Sequence, residues 1–267
     1  MGSWREIADG VHVRRYRFYD QTIGAIVGRD SVAVIDTRTI PSQAVELRND
    51  VQELSRLPIT IVNTHGHYDH VFGNSTFRPC EIWGHARCVT MIERTGAEQL
   101  AAARESLPDL VDDLGAVLLD PPDRTFEDMT TVDLGERAIE LRHLGRGHTD
   151  NDIVILVPDA GVLFAGDLLE NGATPYFGDG YPLDWPVTAR ALRDLVIGPV
   201  CPGHGEPADV SFVERQLAEF EANATLARRV HAGEIDLDAA VDVSPYPSAA
   251  AREPLERALA QLRGELD

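Results

Sequence analysis

The sequence predicts one α/β domain. Three observations carry that prediction. The chain has 267 residues, 43% of them hydrophobic, which is enough for one large core and near the upper limit for a single domain. Apolar, β-branched runs alternate with helical stripes in β-α-β order. Strands followed by helix recur in the two halves as a rough duplication, without a short-period repeat.

The elements follow in chain order. Residues 11–18, 22–28 and 31–36 read as strands, the last two flanking the turn Arg29-Asp30. Pro41 opens a helix, where its missing N–H would have no partner anyway, and Val45, Leu47, Val51, Leu54 and Leu57 form its apolar stripe. Pro58 ends it before the strand Ile59-Thr60-Ile61-Val62. A short strand at 81–84 leads into a helix over 85–105. Residues 106–123, with Pro108, Gly115, Pro121 and Pro122, read as an irregular surface connection. Strand signals return at 131–134, 138–144, 153–157 and 161–164. Residues 171–186 lack a period and read as a long loop, the kind of segment that often carries function. A helix over 187–196, a strand at 198–201 and a helix from Asp209 to about Val230 complete the second half. The domain is expected to span 1–267, with a helical C-terminal extension over about 233–267.

Charge narrows the partners. Lys plus Arg total 24 and Asp plus Glu 44, a formal net charge of −20 that repels polyanions. Nucleic acid and anionic membrane are therefore not expected as partners, and a small-molecule substrate is. The sequence does not bear on oligomeric state. Three cysteines, Cys80, Cys88 and Cys201, are too few and too scattered for a disulfide framework, which fits a reducing, cytoplasmic compartment. The stretch Met1-Gly2-Ser3-Trp4-Arg5-Glu6 has no apolar signal-peptide core, and no run approaches 18 apolar residues.

The chemistry concentrates at strand ends. After the 59–62 strand come His65-Gly66-His67-Tyr68-Asp69-His70, three imidazoles and a carboxylate within six residues. That density suits a metal site and not a core. Gly147-His148-Thr149, Gly166-Asp167 and Gly203-His204-Gly205 follow later strand-like runs, each donor flanked by glycine.

HxHxDH, then GHT, GD and GHG, in that order over roughly residues 10–230, resembles the metallo-β-lactamase superfamily. The resemblance implies a four-layer αββα sandwich holding two divalent metals between its sheets. It implies that His65, His67 and His148 hold the first metal, that Asp69, His70 and His204 hold the second, and that Asp167 bridges them. Asp69 is the expected catalytic residue, orienting the nucleophile. Zinc is the expected metal, with iron or manganese admitted by the carboxylate donors. The implied reaction is attack of a metal-bridging hydroxide on a small ester, thioester, lactone or amide.

Aspartate at 167, where many zinc β-lactamases carry Cys or Ser, turns the resemblance toward glyoxalase II-like hydrolases. Competing readings are a true β-lactamase and a mononuclear iron persulfide dioxygenase. A nuclease or a non-catalytic metal-binding protein comes further behind. Asp36 resembles an aspartate that supports a ligand in the family, and Thr149 is expected to steady its histidine neighbour. Substrate contacts are expected from Tyr176, Phe177, Tyr181 and Trp185 of the 171–186 loop and from His85, against the plainer readings of core anchors and a surface histidine. Cys201 reads as a small buried hydrophobe, and His12, His143 and His231 carry no assigned role.

Overall fold

A computed structural model describes residues 3–266. Met1 and Gly2, part of the N-terminal stretch read above, and Asp267 lie outside the described residues. The first sheet has seven strands in chain order: β1 (Arg5–Ala8), β2 (Val11–Arg15), β3 (Thr22–Val27), β4 (Val32–Ile35), β5 (Ile59–Val62), β6 (Ile82–His85) and β7 (Arg124–Phe126). The second has five, β8 (Met129–Asp133), β9 (Ala138–Arg142), β10 (Val154–Val157), β11 (Val162–Glu170) and β12 (Val200–His204), in reverse order from β12 to β8.

Side-chain alternation explains why the sheets stack. Along β3 and β4, Ile26, Ala33 and Ile35 point to the second sheet, while Ile23, Ala25, Val32 and Val34 point outward. Both faces are apolar, so both need cover. The inner face meets Ile139, Leu141, Ile155 and Phe164 of the second sheet. The outer face packs on helix α1 (Pro41–Leu54) through Ala44, Leu47 and Val51. Beyond the second sheet, α5 (Trp185–Leu195) and α6 (Val210–His231) cover Leu163, Leu168 and Val200. The order of layers is the expected αββα.

Between β5 and β6 lies α2 (Tyr68–Val71), a single turn inside the HxHxDH run. Helix α3 (Ala86–Ser106) follows β6 and packs over that turn. The stretch 106–123 is less irregular than expected: a 3₁₀ turn at Pro108–Leu110 and α4 (Val111–Gly115) bury Leu114 against Ile40 and Ala103. Strands β1 and β7, edge strands with mostly exposed or half-buried residues, were not expected because they lack an apolar run. Strand β11 extends six residues past its expected end, through Asp167 to Glu170, because β12 pairs with it in parallel across two register shifts. The C-terminal helices α7 (Leu237–Asp242) and α8 (Arg252–Leu262) pack on α6 through Ala227, Leu255 and Ala258. No helix of the described residues is long and apolar enough to cross a membrane.

Candidate metal centre

Five backbone segments bring their donors to one place. His65 and His67 leave β5, Asp69 and His70 lie on α2, and His148 sits between β9 and β10. Asp167 lies within β11 and His204 ends β12. The last two adjoin because β11 and β12 are parallel neighbours. Glycine makes the approach possible at two points. A Cβ at Gly203 would overlap Asp167 Oδ1, and Gly166 turns at φ +53° against the Thr64 side chain.

The donors form two trios. In the first, His67 Nδ1 is 3.0 Å from His65 Nε2 and 2.8 Å from His148 Nε2. In the second, His70 Nε2 and His204 Nε2 are 3.3 Å apart, and Asp69 Oδ2 lies 3.5 and 3.4 Å from them. Asp167 Oδ2 stands between the trios, 3.2 Å from His204 Nε2, 3.3 Å from His70, 3.6 Å from His148 and 3.8 Å from His65. Ligands of a tetrahedral zinc, each ~2.0–2.2 Å from the metal, lie about 3.3–3.5 Å apart. The second trio has that spacing and the first is slightly tighter.

The outer nitrogen of each ring decides what the inner one offers. His67 Nε2 donates to Asp179, at 2.9 Å from Oδ2. His148 Nδ1 donates to the carbonyl of Tyr176 at 3.1 Å, His204 Nδ1 to the carbonyl of Tyr19 at 2.6 Å, and His70 Nδ1 to Asp36 Oδ2 at 2.8 Å. The Thr64 hydroxyl gives its proton to Asp36 Oδ2, so at 3.0 Å from His65 Nδ1 it accepts. With the outer nitrogens donating, each ring in its neutral form turns a bare lone pair inward, toward the other rings and toward two carboxylates. Asp167 Oδ1 is also buried without a hydrogen-bond partner. Lone pairs gathered in this way repel unless a cation lies among them, so the residues fit a metal pair.

Charge points the same way. Burial lowers His65 well below the usual imidazole range and His148 to about 4. For His70 and His204 burial acts downward too, but the carboxylates facing them, Asp167 first, raise both well above that range. Asp69 is held at about 2: burial would raise it, and His70 and His204 reverse that. The centre is therefore a seat for positive charge.

The expected supporting residues divide. Asp36, at φ +65°, joins the backbone N–H of Thr64 to His70 and so ties both trios to the end of β4. Thr149 acts on the loop that carries His148 and not on the ring: its N–H and hydroxyl both donate to the buried Asp152 at 2.7 Å.

The substrate contacts expected from sequence are largely corrected. Tyr176 does line the cleft that opens on the centre. Phe177 and Trp185 do not. They are 1% and 0% exposed and pack with Phe220 and Tyr246 in the outer core of the second sheet, because their large apolar rings gain most from burial there. Tyr181 lies outside the cleft and carries the Arg146 guanidinium over its ring, 4.3 Å from the centroid. His85 is neither at the cleft nor on the surface. Its Nε2 donates to the carbonyl of Glu127 and its Nδ1 caps α3 by accepting from the Arg87 N–H.

Asp179 was missed by sequence reasoning. It lies in Gly178-Asp179-Gly180, a donor flanked by glycines like the recognised ones, and that pattern was the available signal. Glu170, 8% exposed and grouped with His148 and Asp167, was also missed. Burial next to Asp167 raises its carboxyl to about 8. The cleft has a volume of about 1000 Å³. One wall is a face of α3, another is the segment from Asn171 to Asp179, and a third is the turn holding Tyr19 and Asp20. Gln99 of α3 clamps the HxHxDH loop, accepting from the Tyr68 N–H and donating to the Gly66 carbonyl.

Comparison with known proteins agrees with this geometry. The family model described as the metallo-beta-lactamase superfamily matches residues 16–204. A metallo-beta-lactamase type 2 from Bacillus cereus is 25% identical over 186 residues, 67% of this chain but only 64% of that protein, so the match spans under two thirds of its length. The acyl-coenzyme A thioesterase MBLAC2 of Homo sapiens is 24% identical over 253 residues, 85% of this chain and 89% of that one. Among solved structures, a metallo-beta-lactamase from Pontibacter korlensis superposes with a TM-score of 0.66 at 18% identity, over 82% of this chain and 98% of that one. That last likeness is one of fold.

Proposed function

The chain belongs to the metallo-β-lactamase superfamily, and on that footing we propose that it is a dinuclear, zinc-type hydrolase of small acyl substrates, with thioesters foremost among esters, lactones and amides. The observation that carries this is the inward convergence of five imidazole nitrogens whose outer nitrogens are all engaged. The preference for thioesters draws on the thioesterase relative, which matches most of both chains.

His65, His67 and His148 would hold one cation, Asp69, His70 and His204 the other, with Asp167 shared. Divalent cations held there would supply a hydroxide at neutral pH and polarise the scissile carbonyl. The chain's own residues do the rest. Asp69, kept ionised, accepts a hydrogen bond from the attacking oxygen and so orients it. Tyr68 donates its hydroxyl proton to Tyr19 at 3.0 Å, which leaves the Tyr19 proton free to meet the substrate at the cleft.

Cys80, Cys88 and Cys201 are free thiols, in keeping with a cytoplasmic location. Metal analysis of protein purified without added metal tests the reading, together with hydrolysis of ester, thioester, lactone and β-lactam substrates. Two zinc per chain with acyl hydrolysis is the expected result. One iron per chain with oxygen consumption overturns it in favour of the dioxygenase, and preferential cleavage of the β-lactam overturns the thioester assignment.

A further inference from the structure

The cleft is larger than an acyl group needs, and the carboxylates lining it give it a sign of charge. The α3 wall presents Met91, Thr95, Glu98, Gln99, Ala102 and Ser106, residues that recur on one helical face. The fifteen steps from Met91 to Ser106, at ~1.5 Å each, make this wall about 22 Å long, enough for an extended arm of a substrate beside the reacting bond. Glu98 stands exposed on that wall. The same cleft is lined by Asp179, whose carboxylate is anchored on His67, and by Asp20. Asp20 is answered by Arg15, which also pairs with Glu206 outside the cleft. Among the described residues lining the cleft there is no arginine, and the sequence contains no lysine at all. The whole chain adds a field of net charge −20.

We infer that the arm of the substrate lying along α3 is neutral or cationic, and that the cleft selects against acyl groups carried on a phosphate-bearing thiol such as coenzyme A. A polyphosphate arm laid beside Glu98 and Asp179 would give up hydration without a guanidinium or ammonium to replace it. The named activity of the thioesterase relative would then extend to this chain in bond type but not in carrier. This inference rests on the acyl-hydrolase reading for its chemistry, though not for its binding test.

Two measurements separate them. The first is hydrolysis by the zinc-loaded chain of one acyl group on three carriers: N-acetylcysteamine, thiocholine and coenzyme A. The neutral and cationic esters should exceed the coenzyme A ester in kcat/KM by about tenfold or more at low salt. The gap should narrow toward ~0.5 M salt as charges are screened. Glu98→Lys should raise the ratio of coenzyme A ester to neutral ester several-fold. The second is calorimetric binding of non-hydrolysable thioethers of N-acetylcysteamine and coenzyme A to the metal-free chain, where the neutral ligand should bind more tightly. Equal or tighter binding of the coenzyme A thioether overturns the inference, as does a kinetic gap that salt leaves unchanged. Hydrolysis of none of the three esters, with the binding preference intact, overturns the acyl-hydrolase reading and leaves the charge selection standing.

Discussion

The two donor trios share Asp167 but are supported from opposite halves of the chain. The rings of the first are steadied largely by the long segment after β11, through Asp179 on His67 and the Tyr176 carbonyl on His148. The rings of the second are steadied from the N-terminal half, through Asp36 on His70 and the Tyr19 carbonyl on His204. The donors differ as well: three imidazoles in the first, two imidazoles and a carboxylate in the second. Imidazole suits zinc, while added carboxylate oxygen broadens the choice toward harder metals. The difference teaches that the two positions are held by separate supports and should be separable by mutation, with Asp167 as their common element.

Asp167→Ala should break both positions together. Turnover is expected to fall by about 10³-fold or more, with metal content dropping at both trios by elemental analysis. Loss confined to one metal would show that Asp167 does not stand between them. Trp185→Ala removes a ring that lies 5.8 Å from that of His148 in the first trio. The ring is fully buried and stacks on Phe220, 4.6 Å between centroids, so its removal should cost about 3–5 kcal/mol in denaturant unfolding. A change under 1 kcal/mol would show that this packing does not carry the stability assigned to it.

Asp36→Ala should weaken chiefly the second metal, by about 10–100-fold in chelator competition. Equal weakening of the first metal would erase the distinction, since Asp36 also reaches Thr64 beside His65. Asp179→Ala should act in the mirror sense, lowering first-metal affinity about tenfold while the second is held as before. The opposite pattern would reverse the assignment of supports.

The smallest effect concerns a histidine outside both trios. Burial, then the neighbouring His143, lowers His85 to about 4. The folded chain thus favours the neutral ring, and its stabilising contribution is complete above pH ~6.5. As pH falls from there toward about 4, the unfolded chain takes up a proton that the folded one does not, and that contribution is lost. Between pH 7 and 5 that loss is on the order of 1 kcal/mol. His85→Asn, which keeps a capping acceptor, should flatten that part of the stability profile between pH 7 and 5; identical profiles would count against it.

Part of this architecture is legible in the residues alone. Apolar alternation over 22–28 and 31–36 marks β3 and β4, and the stripe after Pro41 marks α1, because side-chain period is a local property. Edge strand β7 is hidden, since pairing with β6 and not an apolar run makes it a strand. The extension of β11 to Glu170 is hidden for the same reason, its partner β12 lying some forty residues on. Tyr176 and Trp185 read alike within one loop, yet the first is 53% exposed at the cleft and the second is fully buried. Nothing in the residues themselves separates the two, because burial depends on what each packs against: Trp185 opens α5 and lies on the outer core of the second sheet.

The sequence by itself determined the donor types, their order and their association with strand ends, since the chemistry of imidazole and carboxylate belongs to each residue. It also determined the charge that any substrate must approach. Only the tertiary structure decided which nitrogen of each ring faces inward, because that follows from a hydrogen-bond partner as far away as Tyr19 is from His204. It likewise decided that Asp179 faces His67 and that α3 forms a long wall of the cleft. A metal centre needs lone pairs converging from distant segments, and convergence is a property of packed strands and helices, not of any stretch of chain.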